Sequence, residues 1–358
     1  MASIKKRPDG KYRARYRDEA GREHARHFDR KVDGQKWLDQ QTAALVSGTH
    51  VDPKTAKTTV AAWCATWLDG YGTRRASTVR QAKVHVAQIV AEFGPLRLSA
   101  VRPSHVKAWT TKLRESGLAA SYVYALYRRL AQIFADAVHD GIVPRSPCSR
   151  RTSPGQAKQR PYVATTEQVW GLYDAMPARQ RASILLGAFA GLRTAEACGL
   201  RVADVDFMRG MIAPAVQYPA LPLKTEASQT PIPISRTLAV ELSAHVAQWR
   251  ADTILTADDG VQFGPWMLER AIRDARQRVP GLPDGFRFHD LRHYFASLLI
   301  ESGASVKVVQ ARLRHGSAKT TLDTYGHMFP DSDEATRSAV DAVLVARADS
   351  LRTREVIA

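Results

Sequence analysis

The chain has 358 residues, is 44% hydrophobic and carries a formal net charge of +17. That length argues for two or three domains, and the composition excludes a disordered or low-complexity chain. No apolar run approaches the ~20 residues needed to span a bilayer, and three distant cysteines (Cys64, Cys148, Cys198) exclude a disulfide framework or a CxxC zinc site.

The excess charge is unevenly placed. Residues 1–58 hold 14 Lys/Arg against 8 Asp/Glu, and residues 59–160 hold 16 against 5. Residues 161–358 hold 22 of each, so that part is neutral. A basic part joined to a neutral part suits a protein that grips a polyanion with one and acts locally with the other. Cations laid along phosphates release counterions, which drives such binding. A basic surface kept for solubility is the competing explanation. Met1-Ala-Ser-Ile-Lys-Lys-Arg is followed by no apolar segment, so no signal peptide is expected. Unpaired cysteines fit a reducing interior such as the bacterial cytoplasm.

In chain order, Pro8-Asp9-Gly10 marks a turn. Tyr12, Ala14 and Tyr16 alternate with Arg13, Arg15 and Arg17, the period of a strand. Glu23 to Phe28 forms the return strand, and Lys31 to Val46 has helical spacing. Arg13, Arg15 and Arg17 would share one strand face, fit to enter a DNA groove or simply to be solvated. From Thr59 to Arg150 the pattern is all helical, about four helices, with aromatics such as Trp63, Trp67, Tyr127 and Phe134 destined for its core. Pro103 starts one helix, and Ser121 to Val138 is the longest. Ser146 to Gln159 is rich in Pro, Ser and Gly and reads as an exposed linker. Its cations Arg150, Arg151 and Lys158 would suit a strap on a phosphate backbone. Beyond Pro161 the chain is mainly helical. Thr165 and Gln168 form a capping box, Ile184 to Phe189 is a buried run, and Val205 to Ile234 is a β-rich insert. Met211-Ile-Ala and Thr230-Pro-Ile-Pro-Ile are its strands, with Lys224 in a hairpin between them. Asp333 to Ala348 reads as an apolar-faced helix able to pack in its own chain or on a neighbour.

Four separated pieces carry candidate chemistry: Gly191-Leu-Arg193-Thr-Ala-Glu196; Leu-Lys224-Thr; His289-Asp-Leu-Arg292-His293; and Leu313-Arg-His315-Gly-Ser with Thr324-Tyr325-Gly-His327. Each piece alone is common. In this order, with the tyrosine ten residues beyond the last histidine, they resemble the tyrosine recombinase (phage integrase) family. Residues 1–57 are similar to the arm-type DNA-binding domain of integrases, and residues 58–153 to their helical core-site-binding domain.

The resemblance implies a multidomain fold. It comprises a small N-terminal α+β domain (a three-stranded sheet plus a helix, residues 1–57), an all-α core-binding domain (58–153) and a linker (154–160). A mainly α catalytic domain with a small β-sheet (161–345) and a tail (346–358) complete it. It implies a site-specific recombinase working through a 3′-phosphotyrosine and a Holliday junction, without cofactor or metal. The partners implied are double-stranded DNA with core and arm sites, further copies forming a homotetramer, and an accessory DNA-bending or directionality factor.

The implied residue roles follow the chemistry. Attack on a phosphodiester builds charge on its nonbridging oxygens, and the planar forks of Arg193 and Arg292 would clamp them. His315 would hydrogen-bond a phosphate oxygen, and His289 would orient the tyrosine or shuttle protons. Lys224 would protonate the leaving oxygen, Glu196 would support its neighbours, and Tyr325 would be the nucleophile. Read from the residues alone, Arg193 could instead pair with Glu196, and Tyr325 could be a core aromatic. The rival function is a catalytically silent DNA-binding regulator on the same fold. One departure is visible: the family's usual Leu-Gly-His is Leu313-Arg314-His315 here. Arg314 would touch phosphate or point to solvent.

Overall fold

The computed structural model describes residues 2–18, 21–47, 50, 52, 55–156, 160–329, 337–338 and 340–345. The chain divides into two compact units, Met1–Lys158 and Gln159–Ala358.

The first unit begins with an antiparallel sheet of β1 (Ser3–Lys6), β2 (Tyr12–Arg17) and β3 (Glu23–Phe28), in that order. Helix α1 (Lys31–Val46) crosses one face. Strand alternation turns Ala14 and Tyr16 onto Leu38 of α1 and leaves Arg13, Arg15 and Arg17 on the opposite face. Gly34 lets helix and sheet approach: a Cβ there would lie 2.6 Å from Ile4 Cδ1. A second, separate core is built by α2 (Val60–Tyr71), α3 (Ala76–Phe93), α4 (Pro103–Glu115) and α5 (Ala120–His139). Trp63, Trp67, Tyr127 and Phe134 lie in it, as their helical spacing requires. Two of its buried indoles have their N–H groups bonded: Trp63 donates to the Ile133 carbonyl and Trp67 to the Asp136 carboxylate.

The segment read as an exposed linker is not free along its whole length. Tyr127 donates to the Ser149 carbonyl at 2.7 Å, Thr152 is buried, and Arg114 donates to the Pro154 carbonyl. Pro147 and Thr152 are buried, and the Thr152 hydroxyl accepts from the Ser149 N–H and lies 3.4 Å from the Pro147 carbonyl, so backbone polar groups of the loop are satisfied within it. Turn-forming residues in this stretch shape a packed loop, which composition alone did not distinguish from a linker.

The second unit is mainly helical. Its central pair is α7 (Ala182–Ala190), buried at every residue but Phe189, and α11 (Phe288–Glu301). They pack closely because Gly187 has no side chain; a Cβ there would stand 2.9 Å from Leu291 Cδ1. Around them lie α6 (Thr166–Ala175), α8 (Thr194–Gly199), α9 (Arg236–Trp249) and α10 (Pro265–Arg276). Thr165 and Gln168 form the expected capping box of α6. The β-rich insert has a sheet ordered β4 (Val205–Asp206), β5 (Met211–Ile212), β8 (Ile232–Pro233). A separate hairpin of β6 (Val216–Gln217) and β7 (Leu221–Pro222) lies between β5 and β8. Helices α12 (Val306–Arg312) and α13 (Ala318–Tyr325) form a smaller core with the far end of α11. Residues 337–338 and 340–345 are helical, and Val340, Val343 and Leu344 are exposed there. The rest of the helix expected over Asp333 to Ala348 lies outside the described residues. Among the described residues, no helix is long and apolar enough to cross a membrane.

Candidate active site

Two chain turns bring the separated motifs together. Helix α7 ends at Gly191, whose φ of +60° is a left-handed conformation that glycine adopts without penalty. A Cβ there would also meet the Phe295 ring at 2.4 Å. The chain then turns into α8, with Arg193 at its N-cap position. The second turn follows α12, where Arg314 has a φ of +51°. This is the position of the glycine in the family's usual Leu-Gly-His. The backbone takes a glycine-like conformation at that position, and arginine occupies it at a cost of roughly 1–2 kcal/mol.

Arg314 neither reaches solvent nor stands ready for phosphate. Its side chain is fully buried, donating to the Glu196 carboxylate and, at 2.8 Å, to the Ser228 carbonyl. Glu196 also accepts from Arg193 Nη1 at 2.9 Å and from the Arg193 backbone N–H at 3.0 Å. Burial pushes the Glu196 carboxyl up, but Arg314 and Arg193 outweigh it and hold it below the ordinary value. The pairing of Arg193 with Glu196, open as a structural alternative, is therefore made. It leaves Arg193 fixed but not used up, since that guanidinium also donates to Ser228 Oγ and to the Arg314 carbonyl.

Arg292, on α11, is buried and donates to the carbonyls of Gly191 and Leu313. The two arginines thus grip consecutive carbonyls, Leu313 and Arg314, immediately before His315. Burial and then Arg193 push Arg292 down to about 9, so it stays charged at neutral pH. A guanidinium has five N–H donors, so both retain donors beyond these bonds. Arg193 and Arg314 share the one carboxylate and Arg292 adds a third cation nearby, which leaves local positive charge for an anion.

Tyr325 ends α13 and is almost wholly buried. Its ring lies near-parallel to that of His315, centroids 6.4 Å apart. Burial pushes its hydroxyl up to about 12, against the pull of Arg292. His315 Nδ1 is bonded to Thr321 Oγ1 at 2.9 Å. Burial, then Arg292 and Arg193, push His315 down to about 4.

The hydroxyl of Tyr325 is held by a histidine that sequence reasoning quoted but gave no role. His293 Nδ1 lies 2.7 Å from it. His289, expected to orient the tyrosine, makes no hydrogen bond to it; its ring stands edge-on to His293, centroids 5.1 Å apart. The two histidines are four residues apart on one helix and so share a face. Spacing alone could therefore flag His293 but not rank it above His289.

Lys224 is exposed, just beyond β7. The expected strands do pair, as β5 with β8, but the turn of the intervening hairpin is Tyr218–Ala220, before the lysine. Four residues on, Ser228 touches Arg193 and Arg314, so this connection is tied to the cluster although Lys224 itself stands apart.

In the first unit, Arg13, Arg15 and Arg17 surround one carboxylate, Glu23, at 3.1, 3.4 and 3.9 Å. Lys5, paired in register with Arg13, shares their face. Arg150 and Arg151 are exposed, and Lys158 lies outside the described residues.

Comparison with known proteins agrees with this architecture. The phage integrase family profile matches residues 163–331. A prophage phiRv2 integrase of Mycobacterium tuberculosis is 27% identical over 351 residues, covering 90% of each chain. Among solved structures, the Tn1549 transposon integrase in complex with transposon right end DNA is similar with a TM-score of 0.68 at 18% identity. That match covers 80% of this chain and all of the other. A lambda integrase tetramer bound to a Holliday junction is similar with a TM-score of 0.60 at 18% identity, covering 88% and 96%. Residues 163–331, which hold every member of the buried arginine, histidine and tyrosine cluster, match the phage integrase family, and the chain is similar over 90% of its length to a prophage integrase.

Proposed function

We propose that this protein is a site-specific DNA recombinase that integrates or excises a phage or another mobile element. It cuts and rejoins DNA through a 3′-phosphotyrosine on Tyr325 and exchanges strands through a Holliday junction. The observation that carries this reading is one tyrosine hydroxyl under the influence of Arg292, in a cluster of three guanidinium groups that holds a single carboxylate, bonded to Arg193 and Arg314. In this scheme Arg193 and Arg292 clamp the nonbridging oxygens of the scissile phosphate, where charge grows during attack. His315 and His289 contact the same phosphate group. Glu196 holds Arg193 and Arg314 in place. The Tyr325 oxygen bonds to phosphorus, the bond to the 5′-oxygen breaks, and Lys224 protonates the leaving oxygen after its loop swings inward. The phosphotyrosine keeps the energy of the broken ester, so rejoining needs no nucleotide cofactor.

In this scheme Tyr325 and Arg292, both buried, become accessible as the site opens on DNA. Residues 1–57 bind arm sites through the face of Arg13, Arg15 and Arg17, while residues 58–153 grip the core site. Arg150, Arg151 and Lys158 lie along the DNA backbone. The similar lambda integrase is a tetramer bound to a Holliday junction, and the exposed Val340, Val343 and Leu344 suit contact with a second copy. An accessory DNA-bending protein sets direction, and the work is done in the bacterial cytoplasm. The test is a nicked suicide substrate carrying the core site. Wild-type protein is expected to form a denaturant-resistant adduct, whereas Tyr325→Phe binds equally and forms none. Specific binding without any adduct would make the protein a silent regulator.

A further inference from the structure

We infer that His293, the residue after Arg292, is the base that takes the proton from the Tyr325 hydroxyl; this rests on the reading of Tyr325 as nucleophile. His293 Nδ1 is the nitrogen bonded to that hydroxyl, at 2.7 Å. On the other side of the ring, Nε2 faces the Asp290 carboxylate at 4.0 Å. A carboxylate on that side favours the tautomer with the proton on Nε2, which leaves the Nδ1 lone pair to accept from the tyrosine. Carboxylate, imidazole and hydroxyl thus stand in the order by which hydroxyl nucleophiles are activated. Asp290 is itself fixed, accepting from the Arg287 backbone N–H at 2.7 Å.

The neighbouring histidines are engaged otherwise. His315 Nδ1 is bonded to Thr321, and His289 touches His293 by ring contact only. The charged and titratable groups around His293 are His289, Asp290 and Arg292 of its own helix, and His315 and Tyr325 from the α13 side. Burial first, then His289, Arg292 and His315, push it down to about 4, so the ring is neutral and able to accept at physiological pH. An arriving phosphate opposes those cations and raises its basicity. The step balances. The Tyr325 proton passes to Nδ1 as the oxygen bonds to phosphorus, and the phosphorus–O5′ bond breaks. In rejoining, the imidazolium returns the proton to the tyrosine oxygen as it leaves.

The test measures single-turnover adduct formation by the full-length protein on the suicide substrate between pH 6 and 9. His293→Asn keeps an acceptor near the Nδ1 position but cannot carry a proton at these pH values. Its rate is expected to fall by about 100-fold or more at pH 7 and to climb about tenfold per pH unit as the tyrosine ionises unaided. DNA affinity should be unchanged, a split that a packing role would not produce. His293→Ala should recover rate when imidazole is added. Nitrogen NMR of the wild-type protein, which needs no variant, should show an unprotonated Nδ1 on His293. His293→Asn cleaving within threefold of wild type with the same pH profile, or an Nδ1–H tautomer, would overturn the inference. Absence of an adduct from wild-type protein would instead overturn the nucleophile assignment.

Discussion

The buried ion pair beneath the site should respond asymmetrically to loss of its two partners. Glu196→Ala leaves Arg314, with no exposed side-chain surface, facing only the Ser228 carbonyl. An uncompensated buried charge of this kind costs about 3–5 kcal/mol. Arg314→Met is milder, because Glu196 keeps Arg193 Nη1 at 2.9 Å and the Arg193 backbone N–H at 3.0 Å. Two lost hydrogen bonds, partly offset by apolar burial, amount to about 1–2 kcal/mol. With a urea dependence of about 2–3 kcal/mol per molar, Glu196→Ala should lower the midpoint of the second unit by about 1–2 M, and Arg314→Met by about 0.3–1 M. Urea unfolding of the full-length protein, read at peptides of α8 and α11 by hydrogen-exchange mass spectrometry, separates this unit from the first. Equal losses, or a larger loss for Arg314→Met, would refute the assignment of Arg314 as the dependent partner.

Three other outcomes are expected. Gly191→Val places a side chain in a left-handed conformation against the Phe295 ring, so thermal denaturation should show the second unit destabilised by about 2 kcal/mol or more. Gly34→Val would drive a side chain into Ile4; proteolysis should then cut the sheet–helix segment early while the helical bundle and second unit resist. The third outcome concerns pH. A histidine ordinarily titrates near 6.5, whereas His293 is pushed down to about 4. The unfolded chain therefore binds this proton first as pH falls. The stability that neutral His293 contributes is present above pH 6.5 and is lost between there and about pH 4, by about 3 kcal/mol in all. Denaturant titrations of wild type and His293→Asn should diverge across that window.

Much of the fold was legible because it rests on local periodicity. The alternation in Tyr12–Arg17 and the helical spacing of Lys31–Val46 return as β2 and α1 with the expected bounds. The capping box at Thr165 and the strands around Met211 and Ile232 were equally local. What escaped depends on contacts across long stretches of chain. His289 and His293 occupy one helix face, and only the position of α13 decides which meets Tyr325. Arg314 looked like a surface cation because charge normally seeks water; its burial requires a carboxylate 118 residues away. The packing of Thr152 depends on Tyr127, which periodicity assigned correctly to the bundle but could not connect to the loop. Lys224 shows the converse: it lies on the expected connection, but a short hairpin precedes it and leaves it exposed.

The most direct measurement is mass mapping of the protein–DNA adduct trapped on a suicide substrate. Digestion should yield a single nucleotide-bearing peptide, modified at Tyr325 through a 3′-phosphate. A nucleotide carried by any other residue, or only unmodified Tyr325 peptide in a sample that has bound the core site, would contradict the proposed chemistry.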